Sequence, residues 1–456
     1  MSDTPDLLDR DVDPAALPNP IVSALDLSSD AEMRIRLEAL HPADFSDWFE
    51  QLADAQRETL IQRAPELITG ELLAELEDEV VEDVLPLLEP ELIAGALTEL
   101  DSDDVTQIME EMDASQREDV LDAMEPLERA GVEASFAFDE ETIGRLMQRE
   151  FVSAPEFWTV GDTIDHMRDA GDDLPDLFFN IYIVDPRLRP IGFVAVSKLM
   201  RESRDTTLAS LMQDRLVTVD QTLDQEEAAY LFEKYHLISA PVVDAQGRIV
   251  GMMTVDDIID IIQDENKEDI LALAGVTEAG ITDTAFETVR SRAPWLLVNL
   301  GTAILASIVI AQFDYAIAQF VALAILMPIV ASMGGNAGTQ ALTVAVRGLA
   351  ERDLDGPAAI RAVRRETVAA LIIGVIFASV LAVIAFVWFG DPRLAVVAFA
   401  AMILNHLFAG LAGILIPLGL KRAGADPAVS SSVFVTTVTD VVGFAAFLGF
   451  AVLILL

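Results

Sequence analysis

The last part of the chain, residues 291–456, is almost entirely apolar, and this restricts it to a lipid environment. Five of its stretches are each long enough to cross a bilayer, which takes about 20 residues. We place them near residues 294–312, 317–346, 367–389, 394–420 and 428–456. Because lipid offers no hydrogen bonds to the backbone, these stretches are predicted to be membrane-spanning helices.

Basic residues are unevenly distributed between these spans. The segment between the second and third spans contains Arg347, Arg352, Arg361, Arg364 and Arg365. Lys421 and Arg422 follow the fourth span, whereas the opposite side has only Arg393. The positive-inside rule places the Arg-rich segments in the cytoplasm. The residues after Met1 lack the pattern of a signal peptide, so we expect a cytoplasmic N-terminal part and, with five spans, a C-terminus outside.

The second span contains the sequence GGNAGTQ over residues 334–340, shortly after Pro328. A helix that only crosses lipid needs neither these glycines nor the amides of Asn336 and Gln340. Gly334 and Gly338 form a small-xxx-small pair, which predicts close helix packing. Asn336 and Gln340 are candidates for lining a wet path.

Asp440 is the acidic residue near the middle of a predicted span. It follows Ala428 by 12 residues, roughly 18 Å along a helix. An ionisable group at this depth is typical of an ion path or a buried pair. Ser432 and Thr436 precede it at i−8 and i−4 and extend the polar stripe. A symmetric dimer would bring two Asp440 carboxylates to one axis, where they would suit a hydrated divalent cation such as Mg²⁺.

The acidic residues are concentrated in the other part of the chain. Before residue 291 there are 68 of the 76 acidic and 20 of the 29 basic residues, which gives a net charge of −48. Lysine is scarce, and this composition favours a halophilic source, with a minority of the acids acting as specific cation ligands. A polyanion does not favour nucleic-acid binding. The absence of cysteine excludes disulfides and thiolate metal sites.

The acidic part begins with a segment of low complexity and continues with short helices. Residues 1–29 contain several Pro and Asp and are predicted to be a disordered tail. From about residue 30 to residue 135, apolar residues recur at helical spacing after starts such as Pro42, Pro90 and Asp101. This pattern predicts an antiparallel, solenoid-like stack of helices.

An internal repeat follows the helical stack. Residues 143–148 (IGRLMQ) match 208–213 (LASLMQ), and 191–196 (IGFVAV) match 250–255 (VGMMTV). Each unit combines a helix, a short hairpin and a closing helix. The repeat resembles a tandem CBS pair, a common module that senses adenosine nucleotides or other ligands and regulates many different proteins.

A run of acids follows the second repeat, on a helix that leads toward the first span. Asp257 and Asp260, then Glu265 with Glu268 and Asp269, are spaced so that they line one face. The face is either solvated or packed against another acidic surface through a cation, because direct packing of like charges is repulsive.

The order of these parts, with the GGNAGTQ motif and the sequence TTVTD at 436–440, resembles MgtE-type magnesium channels from about residue 35 onward. The resemblance implies a multidomain fold: an all-α superhelical N domain, α/β tandem CBS domains, a connecting (plug) helix and an all-α membrane domain with five transmembrane helices. The expected boundaries are 1–29 (tail), 30–138 (N domain), 139–203 (CBS 1), 204–263 (CBS 2), 264–291 (plug) and 292–456 (pore).

The resemblance also implies a function and its residues. We expect a homodimeric, Mg²⁺-selective channel of the cell membrane, not an enzyme, that intracellular Mg²⁺ closes, with ATP as a candidate ligand of the CBS pair. The pore residues would be Asp440, Thr436 and Ser432. The regulatory acids would be Glu71, Asp103, Asp224, Glu226, Asp257, Asp260, Glu265, Glu268 and Asp269. The chain departs from the family pattern at Val433, where proline is usual, and at His236 and Gln107, which align with acids.

Two other functions are compatible with the residues. The first is a membrane-anchored CBS sensor that conducts no ion, against which the polar second span and Asp440 argue. The second is a proton-coupled cation carrier in which Asp440 and His406 relay protons.

Overall fold

The computed structural model describes residues 19–171, 174–175, 177–276, 285–350, 354 and 356–456. The chain divides into two compact units, Met1–Gln263 and Asp264–Leu456. Each unit is described separately below.

The first unit begins with a stack of short helices around one continuous apolar core. The helices are α1 (Pro20–Leu25), α2 (Asp30–Leu37), α3 (Pro42–Glu50), α4 (Asp54–Arg63), α5 (Gly70–Glu75), α6 (Asp78–Val84), α7 (Pro90–Leu97), α8 (Ser102–Glu110), α9 (Ala114–Ala123) and α10 (Pro126–Ser135). The predicted all-α N domain is confirmed. The expected tail is wrong for its last residues, because Asn19 caps α1, and Ile21 and Ala24 are buried in the core. Residues 1–18 lie outside the described part.

Two arginines at equivalent positions of the stack stabilise helix ends. The sequence Gln-Arg-Glu recurs around Arg57 in α4 and Arg117 in α9. Arg57 donates to the backbone oxygens of Phe49 and Glu50 at the end of α3. Arg117 donates to those of Met109, Glu110 and Met112 at the end of α8, and its guanidinium lies 4.5 Å from the centre of the Phe136 ring. Both side chains therefore add donors to carbonyl groups at helix ends, where the regular helical bonds stop, although the Phe49 and Met109 oxygens also accept from the backbone N–H groups three residues further on.

Replacement of Arg117 by alanine is expected to destabilise this helical stack by about 2–3 kcal/mol, because several half-buried carbonyls lose their donor at once. The measurement is the first thermal transition of the full chain, followed by circular dichroism. Arg36→Ala is the matched control, since Arg36 is exposed in α2 and is expected to shift the transition little. Equal shifts in the two variants would contradict the assigned role.

The repeat that follows consists of two small sheets of the same topology. Its first copy contains α11 (Ile143–Leu146), β1 (Ser153–Pro155), α12 (Val160–Ala170), β2 (Asn180–Val184), β3 (Pro190–Ala195) and α13 (Val196–Leu199). The second contains α14 (Leu208–Leu211), β4 (Val219–Asp220), α15 (Gln225–Tyr235), β5 (Ser239–Val243), β6 (Ile249–Thr254) and α16 (Val255–Ala274). In each copy a helix connects two parallel strands, and the second of these strands forms an antiparallel hairpin with the third.

The leading segments of the two repeats are exchanged, which the expected boundaries at 139 and 204 do not capture. Ile143 and Met147 are buried in the core of the second repeat, whereas Leu208 and Leu211 belong to the core of the first. Gln148 pairs with Met252 in β6, and Gln213 pairs with Phe193 in β3. Residues 143–148, which precede the strands of the first repeat, therefore complete the sheet and the core of the second repeat. Residues 208–213, which precede the strands of the second repeat, complete those of the first.

A glycine in each hairpin allows this exchange. An added Cβ at Gly251 would lie 2.6 Å from the backbone oxygen of Gln148 and 2.8 Å from the sulfur of Met147. Gly192 faces Met212 and Gln213 in the same way. The repeated glycines of the sequence are thus explained by the close approach of a second backbone.

The second unit contains five helices long and apolar enough to cross a membrane among the described residues. Its helices after α16 are α17 (Ala285–Ala311), α18 (Asp314–Gln319), α19 (Ala322–Ala350), α20 (Pro357–Phe389), α21 (Pro392–Arg422) and α22 (Pro427–Leu455). The five predicted spans are confirmed. The second begins at residue 322 rather than near 317, because the chain turns at Phe320 between α18 and α19.

Helix α21 is central in this bundle and packs against α19, α20 and α22. Helix α17 contacts α22. The expected Arg-rich loop is shorter than predicted, because Arg361, Arg364 and Arg365 belong to the first turns of α20, and Arg347 belongs to the last turn of α19. The expected plug segment, 264–291, begins inside α16, which ends before Gly275. Residues 277–284 of that segment lie outside the described part.

Candidate functional site

One face of α19 carries polar side chains that are exposed in the single chain. Its exposed polar residues are Ser332, Asn336, Thr339, Gln340 and Thr343. The hydroxyls of Thr339 and Thr343 donate to carbonyls of their own helix, but the amides of Asn336 and Gln340 make no hydrogen bond within the described residues. Exposed side chains of α20 are by contrast mostly apolar, as at Ile372, Ile376 and Val380. The polar face of α19 is therefore unsuited to lipid.

The opposite side of α19 is packed tightly, as the small-xxx-small pair predicts. A Cβ at Gly338 would lie 2.6 Å from a methyl group of Val435 and 3.3 Å from one of Thr439 in α22. A Cβ at Gly334 would overlap the amide of Asn405 in α21. The two glycines thus allow α19 to approach α21 and α22 closely, which leaves its polar face outward.

Asp440 lies in the middle of α22, and its polar stripe is the second polar feature of the bundle. Asp440 and Ser432 are half-buried, and Thr436 is exposed. The Thr436 hydroxyl donates to the backbone oxygen of Ser432 at 2.9 Å. Within the described residues the Asp440 carboxylate has neither an ion-pair partner nor a hydrogen bond. A carboxylate of this kind in a membrane helix is a candidate ligand for a cation.

Asn405 and His406 are both fully buried in α21 but contact different helices. The Nδ2 atom of Asn405 donates to the backbone oxygen of Val330 in α19 at 2.8 Å. The ring of His406 stacks on Phe377 of α20, and its Nδ1 atom lies 3.0 Å from the backbone oxygen of Met402. The contacts of His406 are therefore with α20 and its own helix, and none of them leads toward Asp440.

A second candidate site lies in the first unit, where the N-terminus of α8 meets the start of α16. Asp257 lies close enough to Asp103 for its charge to raise the pKa of the Asp103 carboxyl, although 154 positions separate the two residues in the chain. Burial, followed by the charge of Asp257, raises the pKa of Asp103 well above its usual value. Burial raises the pKa of Asp257 as well, although the Thr254 hydroxyl and backbone N–H donate to its carboxylate. One carboxylate oxygen of Asp103 is buried and has no hydrogen-bond partner in the described residues.

Specific contacts hold α8 beside α11 and the residues that follow it, despite this concentration of acids. The Ser102 hydroxyl donates to the Glu150 carboxylate at 2.8 Å and accepts from the backbone N–H of Arg149 at 2.8 Å. Arg145 is buried, donates to Glu110 of α8, and stacks on Phe136. The contacts around Ser102 and Arg145 therefore hold α8 in place although Asp103 and Asp257 carry like charges.

Glu71 lines a neighbouring cavity of about 510 Å³ together with Asp101, Asp104 and Glu150. Asp224 caps α15 and lines a separate cavity of about 330 Å³ with Asp139, Glu140 and Glu141, and Glu226 is exposed in the first turn of α15. The remaining predicted acids follow one another along α16; they are Asp260, Glu265, Glu268 and Asp269. The structure thus brings together Asp103 with Asp257, and Glu71 with acids next to them, but places Asp224 and Glu226 elsewhere.

Two departures from the family pattern have clear structural positions. His236 ends α15 in the left-handed conformation, with φ of 53°. Gln107 donates to Asp78 at 3.5 Å. Among the described residues, no three His, Asp or Glu side chains are grouped so that they could hold a metal ion by themselves.

Two further acids with raised pKa values, Asp104 beside Asp103 and Glu111 at the end of α8, were not singled out from the sequence. Burial and the charges of Asp257 and Asp101 raise the pKa of Asp104 to about 7. Burial and the charges of Asp78 and Glu82 raise the pKa of Glu111 to about 7. The acidic run from Asp101 to Asp104 was the available signal, but a run alone does not distinguish a solvated acid from a buried one.

Comparison with known proteins identifies relatives over about 70% of the chain. The family model described as a divalent cation transporter, MgtE, matches residues 327–450, that of the MgtE intracellular N domain matches 40–141, and that of the CBS domain matches 208–264. The magnesium transporter MgtE of Thermus thermophilus is 35% identical over 337 residues, which cover 72% of this chain and 74% of the relative. That of Bacillus subtilis is 29% identical over 71% of this chain and 72% of its own length.

A solved structure agrees with the first unit. The crystal structure of the cytosolic domain of the Mg²⁺ channel MgtE in complex with ATP is 31% identical, with a TM-score of 0.50, over 53% of this chain and 98% of that chain. The family models, the identity over more than two thirds of each full-length relative and the five membrane helices agree. The chain belongs to the MgtE family of divalent cation transporters.

Proposed function

We propose that this protein is a Mg²⁺ channel of the cell membrane, with Asp440 at the centre of its permeation path. The observation that carries the proposal is the pair of polar stripes, on α19 and around Asp440 on α22, in helices that otherwise expose apolar side chains. Neither lipid nor the described part of the single chain offers a partner to Asp440 or to the amide of Asn336. The full-length relatives are named magnesium transporters.

A symmetric homodimer accounts for the exposed stripes. In a dimer related by a two-fold axis, the same surface of each copy meets at the axis. Two Asp440 carboxylates facing each other would supply two negative charges to one hydrated Mg²⁺, which keeps several waters when protein ligands bind it. Thr436 and Ser432 would then follow along the same path, and Asn336 and Gln340 would line it from α19. The C-terminus would lie outside the cell.

We further propose that intracellular Mg²⁺ closes the channel by binding the acids around Asp103 and Asp257. Without a cation these carboxylates repel one another, and with Mg²⁺ the closed arrangement gains ligands that the open one lacks. The end of α16 has a contact that suits a gate: Ala272 packs with Leu342 and Val346 of α19 and with Ala428 and Val435 of α22. Movement of α16 would therefore act directly on the two helices that carry the polar stripes.

A pH dependence follows from the raised pKa of Asp104. Its pKa is about 7 when α8 is packed against the start of α16 and about 4 when the carboxyl group is solvated. Protonation of Asp104 therefore stabilises this packing, and the stabilisation is lost as the pH rises from about 4 to about 7. Lowering the pH from about 8 to about 5.5 without Mg²⁺ is expected to increase resistance to limited proteolysis in the cytosolic part, as Mg²⁺ would. Asp104→Asn should reduce this pH response, and the remainder is expected from Asp103 and Asp257, whose pKa values are raised as well. A wild-type protein equally protease-sensitive at both pH values would contradict it.

ATP is the proposed ligand of the CBS pair, on the basis of the similar cytosolic domain that was solved with it. Between the two repeats, the Asn180 amide and the Tyr182 hydroxyl both donate to the Ser239 hydroxyl, at 3.0 and 2.9 Å. Polar groups of β2 and β5 therefore already join the repeats.

The test of the proposed function is Mg²⁺ influx into proteoliposomes under an inside-negative potential, with nominally no internal Mg²⁺. A channel should carry Mg²⁺ at a rate that depends on voltage and only weakly on a proton gradient. A proton-coupled carrier should instead depend steeply on that gradient, and the contacts of His406 with α20 do not favour it. Folded protein that mediates no influx would support the sensor function.

A further inference from the structure

The amide of Asn405 occupies a point where three membrane helices meet. Asn405 is in α21, and its Nδ2 atom donates to Val330 in α19. On the other side it faces α22, since a Cβ at Gly443 would lie 2.8 Å from Nδ2 and 3.2 Å from Oδ1 of the same amide. We call Val330, Gly334, Asn405 and Gly443 the three-helix contact.

The two glycines of this contact leave the space that the amide fills. A Cβ at Gly334 would overlap the amide directly, and one at Gly443 would approach it closer than side chains normally do. Each glycine belongs to a helix with a polar stripe. Gly334 is two residues before Asn336, and Gly443 is three residues after Asp440, about 4.5 Å along α22.

Packing alone does not explain an asparagine here. The Oδ1 atom of Asn405 is buried and has no hydrogen-bond partner in the described residues. A leucine of similar volume would fill the space without an unsatisfied buried acceptor. The amide instead adds a directional bond to Val330, and such a bond fixes how far α19 lies along α21, which apolar contacts specify less sharply.

We propose that Asn405 is a positioning residue of the permeation path. It holds α19 and α22 at one height and rotation, so that Asp440 and Asn336 face the same ion. The proposal rests on the proposed function and deepens it. It assigns to α21, which has no exposed polar stripe of its own, the control of the spacing on which discrimination between Mg²⁺, which keeps its waters tightly, and the larger, more easily dehydrated Ca²⁺ ion depends.

The test uses four variants in the full-length protein in proteoliposomes: Asn405→Leu, Asn405→Ala, Gly443→Ala and the double variant Asn405→Ala/Gly443→Ala. Influx of Mg²⁺ and of Ca²⁺ is measured for each, together with the midpoint of thermal unfolding. Asn405→Leu and Gly443→Ala are expected to reduce Mg²⁺ influx roughly 10-fold and to lower the ratio of Mg²⁺ to Ca²⁺ influx, because functional geometry tolerates only small displacements. Ser379→Ala is the control and should alter neither, since it is a polar change in α20 whose hydroxyl donates to the Val375 oxygen of its own helix.

The double variant tests the contact itself. Removal of the amide makes room for the new Cβ, so the double variant should be more stable than Gly443→Ala, with partial recovery of Mg²⁺ influx. A purely structural role would lower unfolding midpoints and total uptake but leave the Mg²⁺ to Ca²⁺ ratio unchanged, and that result would overturn the proposal. Wild-type protein without influx would remove the permeation role together with the proposed function. The unfolding midpoints would then still test whether the Asn405 amide fills the space beside Gly443. Equal midpoints for Gly443→Ala and the double variant would overturn this packing as well.

Discussion

Replacement of Asp440 by alanine is expected to abolish Mg²⁺ influx while the protein remains folded. Two unit charges 4 Å apart interact by about 4 kcal/mol at an effective dielectric constant of 20, and the ion is doubly charged. Because 1.4 kcal/mol is a factor of ten, the loss of this carboxylate from both copies should reduce influx by about 100-fold or more. The measurement is initial Mg²⁺ uptake into proteoliposomes under an inside-negative potential.

The conservative variants make this prediction more specific. Asp440→Asn keeps the size and removes the charge, so it should be nearly as inactive as Asp440→Ala. Asp426→Asn is the matched control, because Asp426 caps the same helix outside the span and asparagine caps helices equally well. Influx in Asp440→Asn equal to that of the control would remove the carboxylate from the path, although not transport from the protein.

Length, apolarity and periodicity were sufficient to predict the five spans, the helical stack and the repeat. They could not predict the break at Phe320, since residues 317–346 are apolar on both sides of it. Nor did they predict the exchange of Ile143 and Leu208 between the repeats, because periodicity gives the buried face of a segment but not its partner. Composition misled at Ile21, whose burial depends on packing against residues far along the chain.

Some residues of the candidate sites can be recognised from the sequence, whereas others depend on tertiary contacts. Asp440 and Asn336 are recognisable from the sequence, because a charge or an amide inside an apolar run is costly and therefore informative. The approach of Asp103 to Asp257 is a tertiary feature, so only the resemblance to a known family indicated it. Asn405 was visible as a lone amide in the fourth span, but its meaning depends on Gly334 and Gly443, which two other helices supply.

Neutralisation of the pair Asp103 and Asp257 is expected to make closure insensitive to internal Mg²⁺. In Asp103→Asn/Asp257→Asn the closed state loses two carboxylate ligands, and a ligand shifts a conformational equilibrium only through its different affinity for the two states. The internal Mg²⁺ concentration needed for half-closure should therefore rise about 10-fold or more, so the variant conducts where the wild type is closed. The measurement is Mg²⁺ current in excised membrane patches while the cytoplasmic Mg²⁺ concentration is varied.

The control separates specific sites from general charge. Asp205→Asn/Asp214→Asn removes two charges from exposed positions in the same unit, where neither residue lies in the acidic groups described above. At a salt concentration near 1 M the screening length is about 3 Å, so repulsion between distant acids is weak and only acids that share a cation should influence closure. The control should then close at the wild-type Mg²⁺ concentration. An equal shift in both double variants would mean that total charge, rather than the Asp103 and Asp257 site, determines when the channel closes.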